Sequence, residues 1–139
     1  MKIDTSSLEK ALGQLEEILQ ILDSQAWGND EKLKRSFELG AIQAFGCAYD
    51  AAIRLLRRRM ELEAADLGRL RAMDIEDRFR TAADDGLIPD AVRFFDYRKK
   101  RDLTSQSYLE EIVRKLIAIL DPFCHDIRFL LDALQKRNG

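Results

Sequence analysis

From Glu31 to about Glu63 the chain runs without a proline, and Ile42, Phe45, Tyr49, Ala52, Ile53, Leu56 and Met60 recur through it at helical spacing. That pattern predicts one long helix, roughly 50 Å from end to end at 1.5 Å per residue. A second line, of the small residues Gly40, Ala44, Ala48 and Ala51, lies on another face, where a neighbouring helix can approach closely. Two faces that both need cover predict a central helix with partners around it. The basic run Arg57-Arg58-Arg59 falls near its C-terminus, where cations complement the helix dipole, and reads as a solvated face.

The flanking segments read as further helices. Ser6-x-x-Glu9 has the form of a capping box, and Leu8, Leu12, Leu15, Leu19 and Leu22 follow it, so a first helix is expected from about Ser7 to Asp23. Ala26 to Asp30 interrupts it, with Asn29 or Asp30 as N-cap for the long helix and Trp27 expected to anchor the loop in the core. Ala64 to Met73 shows no clear period and reads as a connection. Asp74 caps a short helix that stops at Asp85-Gly86, Gly86 being suited to the C′ position. Pro89 opens the next helix, which carries Val92, Phe95 and Tyr97 to about Arg101 before Thr104-Ser105-Gln106-Ser107 breaks it. Ser107-x-x-Glu110 is a second capping box, and Ile112, Leu116, Ile119, Leu120, Phe123, Ile127, Leu131 and Leu134 continue in one phase. Pro122 falls inside that stripe, which predicts one kinked helix, with Asp121-Pro122 as a fresh N-cap and N1 being the alternative.

With two prolines, seven glycines and no period-2 runs, the 139 residues are expected to form one all-α domain spanning 1–139. The economical arrangement is an antiparallel bundle of four to five helices with a long, kinked C-terminal helix. A chain of this length buries roughly 68–70% of its unfolded surface and needs no staples. Cys47 and Cys124 sit inside apolar helical patterns and form no CxxC pair, so neither a zinc site nor a disulfide framework is expected. No apolar run approaches the roughly 18 residues of a membrane span, no secretory leader is evident, and the expected compartment is the cytoplasm. The 23 basic and 25 acidic residues leave a formal net charge of −2, so any contact with RNA must come from a local patch.

Residues with recognisable chemistry are few. His125 is the single histidine, with Asp121 one turn before it and Asp126 beside it. No phosphate-binding glycine loop, nucleophile elbow or paired-histidine motif occurs. Glu16-Glu17, Asp84-Asp85 and Glu110-Glu111 are adjacent in sequence, so on a helix they point about 100° apart and do not converge.

Two linked stretches say more. Arg78-Phe79-Arg80-Thr81-Ala82-Ala83-Asp84-Asp85-Gly86-Leu87-Ile88-Pro89-Asp90 resembles an R-x-A-x-x-x-G-L-I-x-D pattern, and Arg101-Asp102-Leu103-Thr104-Ser105-Gln106-Ser107-Tyr108 resembles R-N-x-x-S-H-x-Y. Both patterns belong to the HEPN superfamily, in its branch of nucleotidyltransferase substrate-binding proteins. Upstream, Ala41-Ile42-Gln43-Ala44-Phe45 through Arg54 resembles that branch's A-I-x-x-F-E…E-x-x-W-K helix, with Gly46 for the glutamate, Ile53 for the tryptophan and Arg54 for the lysine. The resemblance covers nearly the whole chain.

The resemblance implies a helical bundle that dimerises and pairs with a separately encoded minimal nucleotidyltransferase, as in toxin-antitoxin pairs. In ribonuclease members the motif's arginine and histidine form a metal-independent site. In pairs using covalent neutralisation the nucleotidyltransferase transfers AMP to the motif's tyrosine. Here Gln106 stands where the histidine would be, and an amide has no group that titrates near neutral pH. Losing general acid–base catalysis removes about 10²–10⁴ in rate. Asp102 replaces the asparagine, and His125 lies about five turns further along the last helix.

The expectation is therefore a non-catalytic binding subunit. Arg98, Arg101, Ser105 and Tyr108 are the candidate partner or phosphate contacts, and Tyr108 is the candidate acceptor of a transferred nucleotide. Ser107 at a helix N-terminus would add backbone N–H groups to an anion site around Arg101. No metal or cofactor is expected in this chain, ATP and magnesium belonging to the partner nucleotidyltransferase. The alternatives are a toxin-like ribonuclease relying on Arg101, with Gln106 in a positioning role, and a structural adaptor with a decayed motif.

Overall fold

The long proline-free segment is a single 33-residue helix, and the other elements are arranged along it. The computed structural model describes residues 2–104 and 109–139. Their elements are all helices: α1 (Ser6–Ser24), α2 (Glu31–Glu63), α3 (Leu67–Ala72), α4 (Ile75–Asp84), α5 (Ala91–Leu103), α6 (Glu110–Ala118) and α7 (Leu120–Arg137). The all-α bundle read from the sequence is the fold. No helix among the described residues is long and apolar enough to cross a membrane.

α1 runs antiparallel to α2, burying Leu8, Leu12 and Leu15 against it. Of the line of small residues on α2, Ala44, Ala48 and Ala51 are buried, while a Cβ at Gly40 would make an ordinary contact, 3.8 Å from Ile18 Cδ1 of α1. α7 is antiparallel to α1, tied by Arg128 to Glu16 at 2.6 Å and by Gln135 to Glu9 at 2.7 Å. Where α2, α5 and α7 meet, the core is aromatic. Phe45 packs edge-on to Phe123 at 4.7 Å between centroids, Phe123 to Tyr97 at 5.1 Å, and Tyr97 to Phe94 at 5.3 Å.

Helix boundaries follow local chemistry. Asp30, Asp66, Asp74 and Asp90 each accept a hydrogen bond from the backbone N–H three residues on, capping α2, α3, α4 and α5. α4 ends in a Schellman motif: Gly86 takes φ 79°, its N–H donates to Ala83, and the Leu87 N–H donates to Ala82. Pro89 precedes the Asp90 cap rather than opening the helix.

Several expectations are corrected. The connection from Ala64 to Met73 contains α3, a six-residue helix that a 3.6-residue period cannot reveal. The Ser6 capping box does not form, because the N-cap is Thr5 and Ser6 bonds back to Asp4 through both its N–H and its hydroxyl. Ser107 lies outside the described residues, and α6 has Leu109 at its N-cap, so Glu110 is its first residue and not the third position a capping box requires. The expected kink near Pro122 is an interruption at Ile119 that places the proline in the first turn of α7, where its missing N–H costs no helical bond. Trp27 is only half-buried, with Lys34 Nζ 5.9 Å above its ring. Cys124 is buried as expected, but Cys47 is exposed.

The basic triplet also divides. Arg57 and Arg58 are exposed, but Arg59 is buried at 4% exposure and donates to Asn138 Oδ1 at 2.7 Å. That amide also accepts from Ile3 N–H and donates to Ile3 C=O, both at 2.8 Å, so one side chain clasps the two ends of the described chain.

One buried carboxylate joins α5 to α7. Asp126, 5% exposed, accepts from Arg93 Nε at 2.8 Å, Arg93 Nη2 at 3.0 Å and Tyr97 Oη at 2.6 Å. Asp126→Ala leaves Tyr97 without an acceptor and Arg93 without its fork, and is expected to cost about 3 kcal/mol in denaturant unfolding. Burial and the bond to Asp126 push the Tyr97 phenol far above its usual range, and burial lifts Tyr49 to about 12. The folded chain thus keeps two protons that the unfolded chain releases near pH 10. Stability from these groups is fully present below about pH 10 and falls as pH rises beyond it, by up to about 1.4 kcal/mol per pH unit for each phenol. Urea unfolding between pH 8 and 11.5 is expected to show this decline, and Tyr97→Phe is expected to make it shallower.

Candidate functional site

α5 places Phe94, Tyr97, Arg101 and Thr104 at spacings of three, four and three, which is the core-facing stripe of a helix. Phe94 and Tyr97 fill the core, so Arg101 enters the next position along the same stripe, over α2. There it meets Gly46. A Cβ added to Gly46 would lie 3.2 Å from Arg101 Cζ, 3.3 Å from Nη1 and 3.4 Å from Nε. Near-equal distances to three guanidinium atoms mean that the group lies flat on the bare backbone, in space a side chain would occupy.

One turn beyond Gly46 on α2, Asp50 takes the guanidinium as a fork, accepting from Arg101 Nε at 3.1 Å and from Nη2 at 2.9 Å. Arg101 Nη1 donates to Thr104 Oγ1 at 2.6 Å, and that hydroxyl donates to the Arg101 carbonyl at 2.7 Å. The hydrogen bonds to Asp50 hold Arg101 even more firmly in its charged form than usual. Of the five N–H groups of a guanidinium, three are engaged by described residues, leaving one on each Nη for something else. A cavity of about 130 Å³ opens beside them, lined by Ile42, Gln43, Gly46, Cys47, Asp50, Arg101 and Thr104.

Of the residues singled out from the sequence, Arg101 occupies this seam and Arg98 is exposed one turn earlier on α5, near enough to favour ionisation of Tyr49. Lys100 is paired with Asp96 at 2.8 Å. Ser105, Gln106 and Tyr108 lie outside the described residues. Asp50 and Gly46 were not identified as the seat of Arg101. The signal available was Gly46 itself, since a glycine in a helix interior costs about 1 kcal/mol and calls for a packing reason.

His125 is exposed and borders a separate groove of about 350 Å³ between α1 and α7. Burial lifts the Cys124 thiol there to about 12, so it carries no thiolate near neutral pH. Among the described residues no group of three His, Cys, Asp or Glu side chains is placed to hold a metal ion.

Residues 3–136 match the family described as nucleotidyltransferase substrate binding protein like. A relative from Haemophilus influenzae, named "Probable ribonuclease HepT", is 27% identical over 139 residues, covering 99% of this chain and 95% of its own. A solved structure from the same organism, described as having the fold of a substrate binding domain of a nucleotidyltransferase, aligns with a TM-score of 0.89. It is 26% identical and covers 95% of this chain and 99% of its own.

The seat of Arg101 predicts a coupling. Gly46→Ala gains about 1 kcal/mol of helix propensity, but in the wild-type background the new methyl presses on a guanidinium fixed by Asp50 and Thr104. With Arg101→Ala already present nothing resists the methyl. A double-mutant cycle in denaturant is expected to give Gly46→Ala as stabilising by about 1 kcal/mol only in the Arg101→Ala background, a coupling of about 1 kcal/mol.

Proposed function

Because this chain belongs to the nucleotidyltransferase substrate binding protein-like family, we propose that it is a non-catalytic binding subunit that dimerises and pairs with a minimal nucleotidyltransferase. Such a pair would form a two-component, toxin-antitoxin-like system in the cytoplasm. The family match along nearly the whole chain supports the reading, as does the solved relative described as a nucleotidyltransferase substrate binding domain. The observation that carries it is the state of the motif. Gln106 supplies no general acid or base, and Asp50 neutralises Arg101 while leaving only two of its N–H groups for a phosphate or a partner. That arrangement binds and positions; it does not move protons.

In this reading the partner nucleotidyltransferase supplies ATP and magnesium. Tyr108 supplies its phenolic oxygen, which bonds to the α-phosphorus as pyrophosphate leaves and the phenolic proton passes to solvent or to the partner. Arg98, Arg101 and Ser105, which precede the acceptor in the sequence, are the residues assigned to hold negative charge.

The name of the Haemophilus influenzae relative favours a second reading, a metal-independent ribonuclease. Here Arg101 would stabilise phosphate charge and Gln106 would only position. Gln106→His restores the missing proton carrier, and so separates a silenced ribonuclease from a chain that never had the rest of the site.

The chain is expected to gain one or more AMP units in intact mass after incubation with its neighbouring nucleotidyltransferase, ATP and Mg²⁺, and Tyr108→Phe is expected to abolish the gain. A stable complex with unchanged mass would leave binding alone. RNA cleavage by the wild-type chain, lost in Arg101→Ala, would establish the ribonuclease instead.

A further inference from the structure

We propose that Arg57, Arg71 and Arg78 form a binding site for a phosphate group, separate from the seat of Arg101. The three come from α2, α3 and α4 and line one narrow cleft together with Met60, Glu61 and Leu70. Arg57 makes no hydrogen bond or ion pair among the described residues. Arg71 has its closest carboxylate, Glu61, at 3.8 Å, beyond hydrogen-bond range, and keeps 64% of its side chain exposed. Arg78 Nη2 donates to the Arg71 carbonyl at 3.1 Å, while its Nε is buried without an acceptor.

Three guanidiniums against one carboxylate leave a local charge of +2 in the cleft lining. Nothing in the core requires this. Leu70, buried at 8%, fixes α3 on Met60 with the Asp66 cap at its start, and that docking carries Arg71 to the other two arginines. Like charges gathered around an apolar floor repel, and a buried N–H without an acceptor costs free energy unless an ion or water meets it. An anion at the mouth relieves the first, and a water between it and Arg78 relieves the second.

The shape selects the anion. About 10 Å³ of open space lies inside the cleft, room for one water beside Arg78 but not for a larger group. The anion therefore sits at the mouth, within reach of Arg57 and Arg71. A carboxylate offers two oxygens and one charge, and the one already present, Glu61, does not close on Arg71. A phosphate offers more oxygens and up to two charges, enough for the two planar donor groups at the mouth and for the water on Arg78. On α2, Arg57 lies seven residues beyond Asp50 and on the same face, which separates the two arginine sites by about 10 Å along the helix.

The test is a titration of the full chain followed by nitrogen NMR of the arginine Nε–H groups, with inorganic phosphate, ATP and a ten-nucleotide oligouridylate as separate probes. Phosphate or ATP is expected to move the Arg78 resonance saturably, at constant ionic strength. Arg57→Gln and Arg71→Gln are each expected to weaken binding about tenfold. Glu61→Gln is expected to tighten it by removing the competing carboxylate. Arg80→Gln is expected to leave it unchanged, because Arg80 is paired with Asp77 at 2.9 Å and Glu76 at 3.6 Å. Tighter binding of ATP than of phosphate assigns the site to the phosphate chain of a nucleotide, and equal binding assigns it to free phosphate. Shifts reproduced by sodium chloride, a response to the oligonucleotide alone, or unchanged affinity in Arg57→Gln and Arg71→Gln would each overturn the proposal.

Discussion

A carboxylate taken out of water without compensation costs several kcal/mol, and Asp126 is buried at the junction of α5 and α7. Its three donors all come from α5: two nitrogens of Arg93 and the hydroxyl of Tyr97. Satisfying the charge therefore fixes both the rotation and the height of α5 against α7. Tyr97 and Arg101 are one turn apart on one face, so the register that serves Asp126 also delivers Arg101 to Gly46 and Asp50. The candidate site inherits its precision from an ion pair that it does not contain.

The legibility of the fold tracked the range of the forces involved. Asp30, Asp74 and the left-handed Gly86, which act within one turn, were readable, but the equally local Ser6 box and Pro89 start were not, because a neighbouring residue, Thr5 or Asp90, takes the cap. α2 was readable because its period persists over many turns. α3 was not, since six residues contain fewer than two turns of pattern and the helix depends on the burial of Leu70. The inward turn of Arg59 was hidden for a different reason. Its acceptor, Asn138, is 79 residues away, and a basic triplet looks the same whether its last member faces water or the end of the chain.

The site shows the same division. Arg101 was legible from its surrounding motif, and the stripe Phe94, Tyr97, Arg101, Thr104 places a charge where a core residue belongs. What could not be read was which carboxylate meets it. Asp50 is 51 residues away, and its pairing depends on how α5 crosses α2. Ser105, Gln106 and Tyr108, which carry most of the resemblance to the family's chemistry, fall outside the described residues.

Gly46 ties these observations together. The family pattern carries a glutamate at this place, and here there is no side chain at all. A side chain at 46 would begin 3.2 Å from the carbon at the centre of the guanidinium, so it would press Arg101 a few tenths of an ångström out of its present seat. Asp50, at the place of that pattern's second glutamate, supplies the carboxylate that holds Arg101 from the next turn. The arginine thereby lies flat on α2, beside the cavity that it helps to line. Arg101 is thus held charged and oriented at the motif position, whereas Gln106 carries no group that titrates near neutral pH. Under the proposed function, the pair of Arg101 and Asp50 provides an oriented guanidinium that can hold negative charge, and Gln106 offers no general acid or base with which to cleave a phosphodiester.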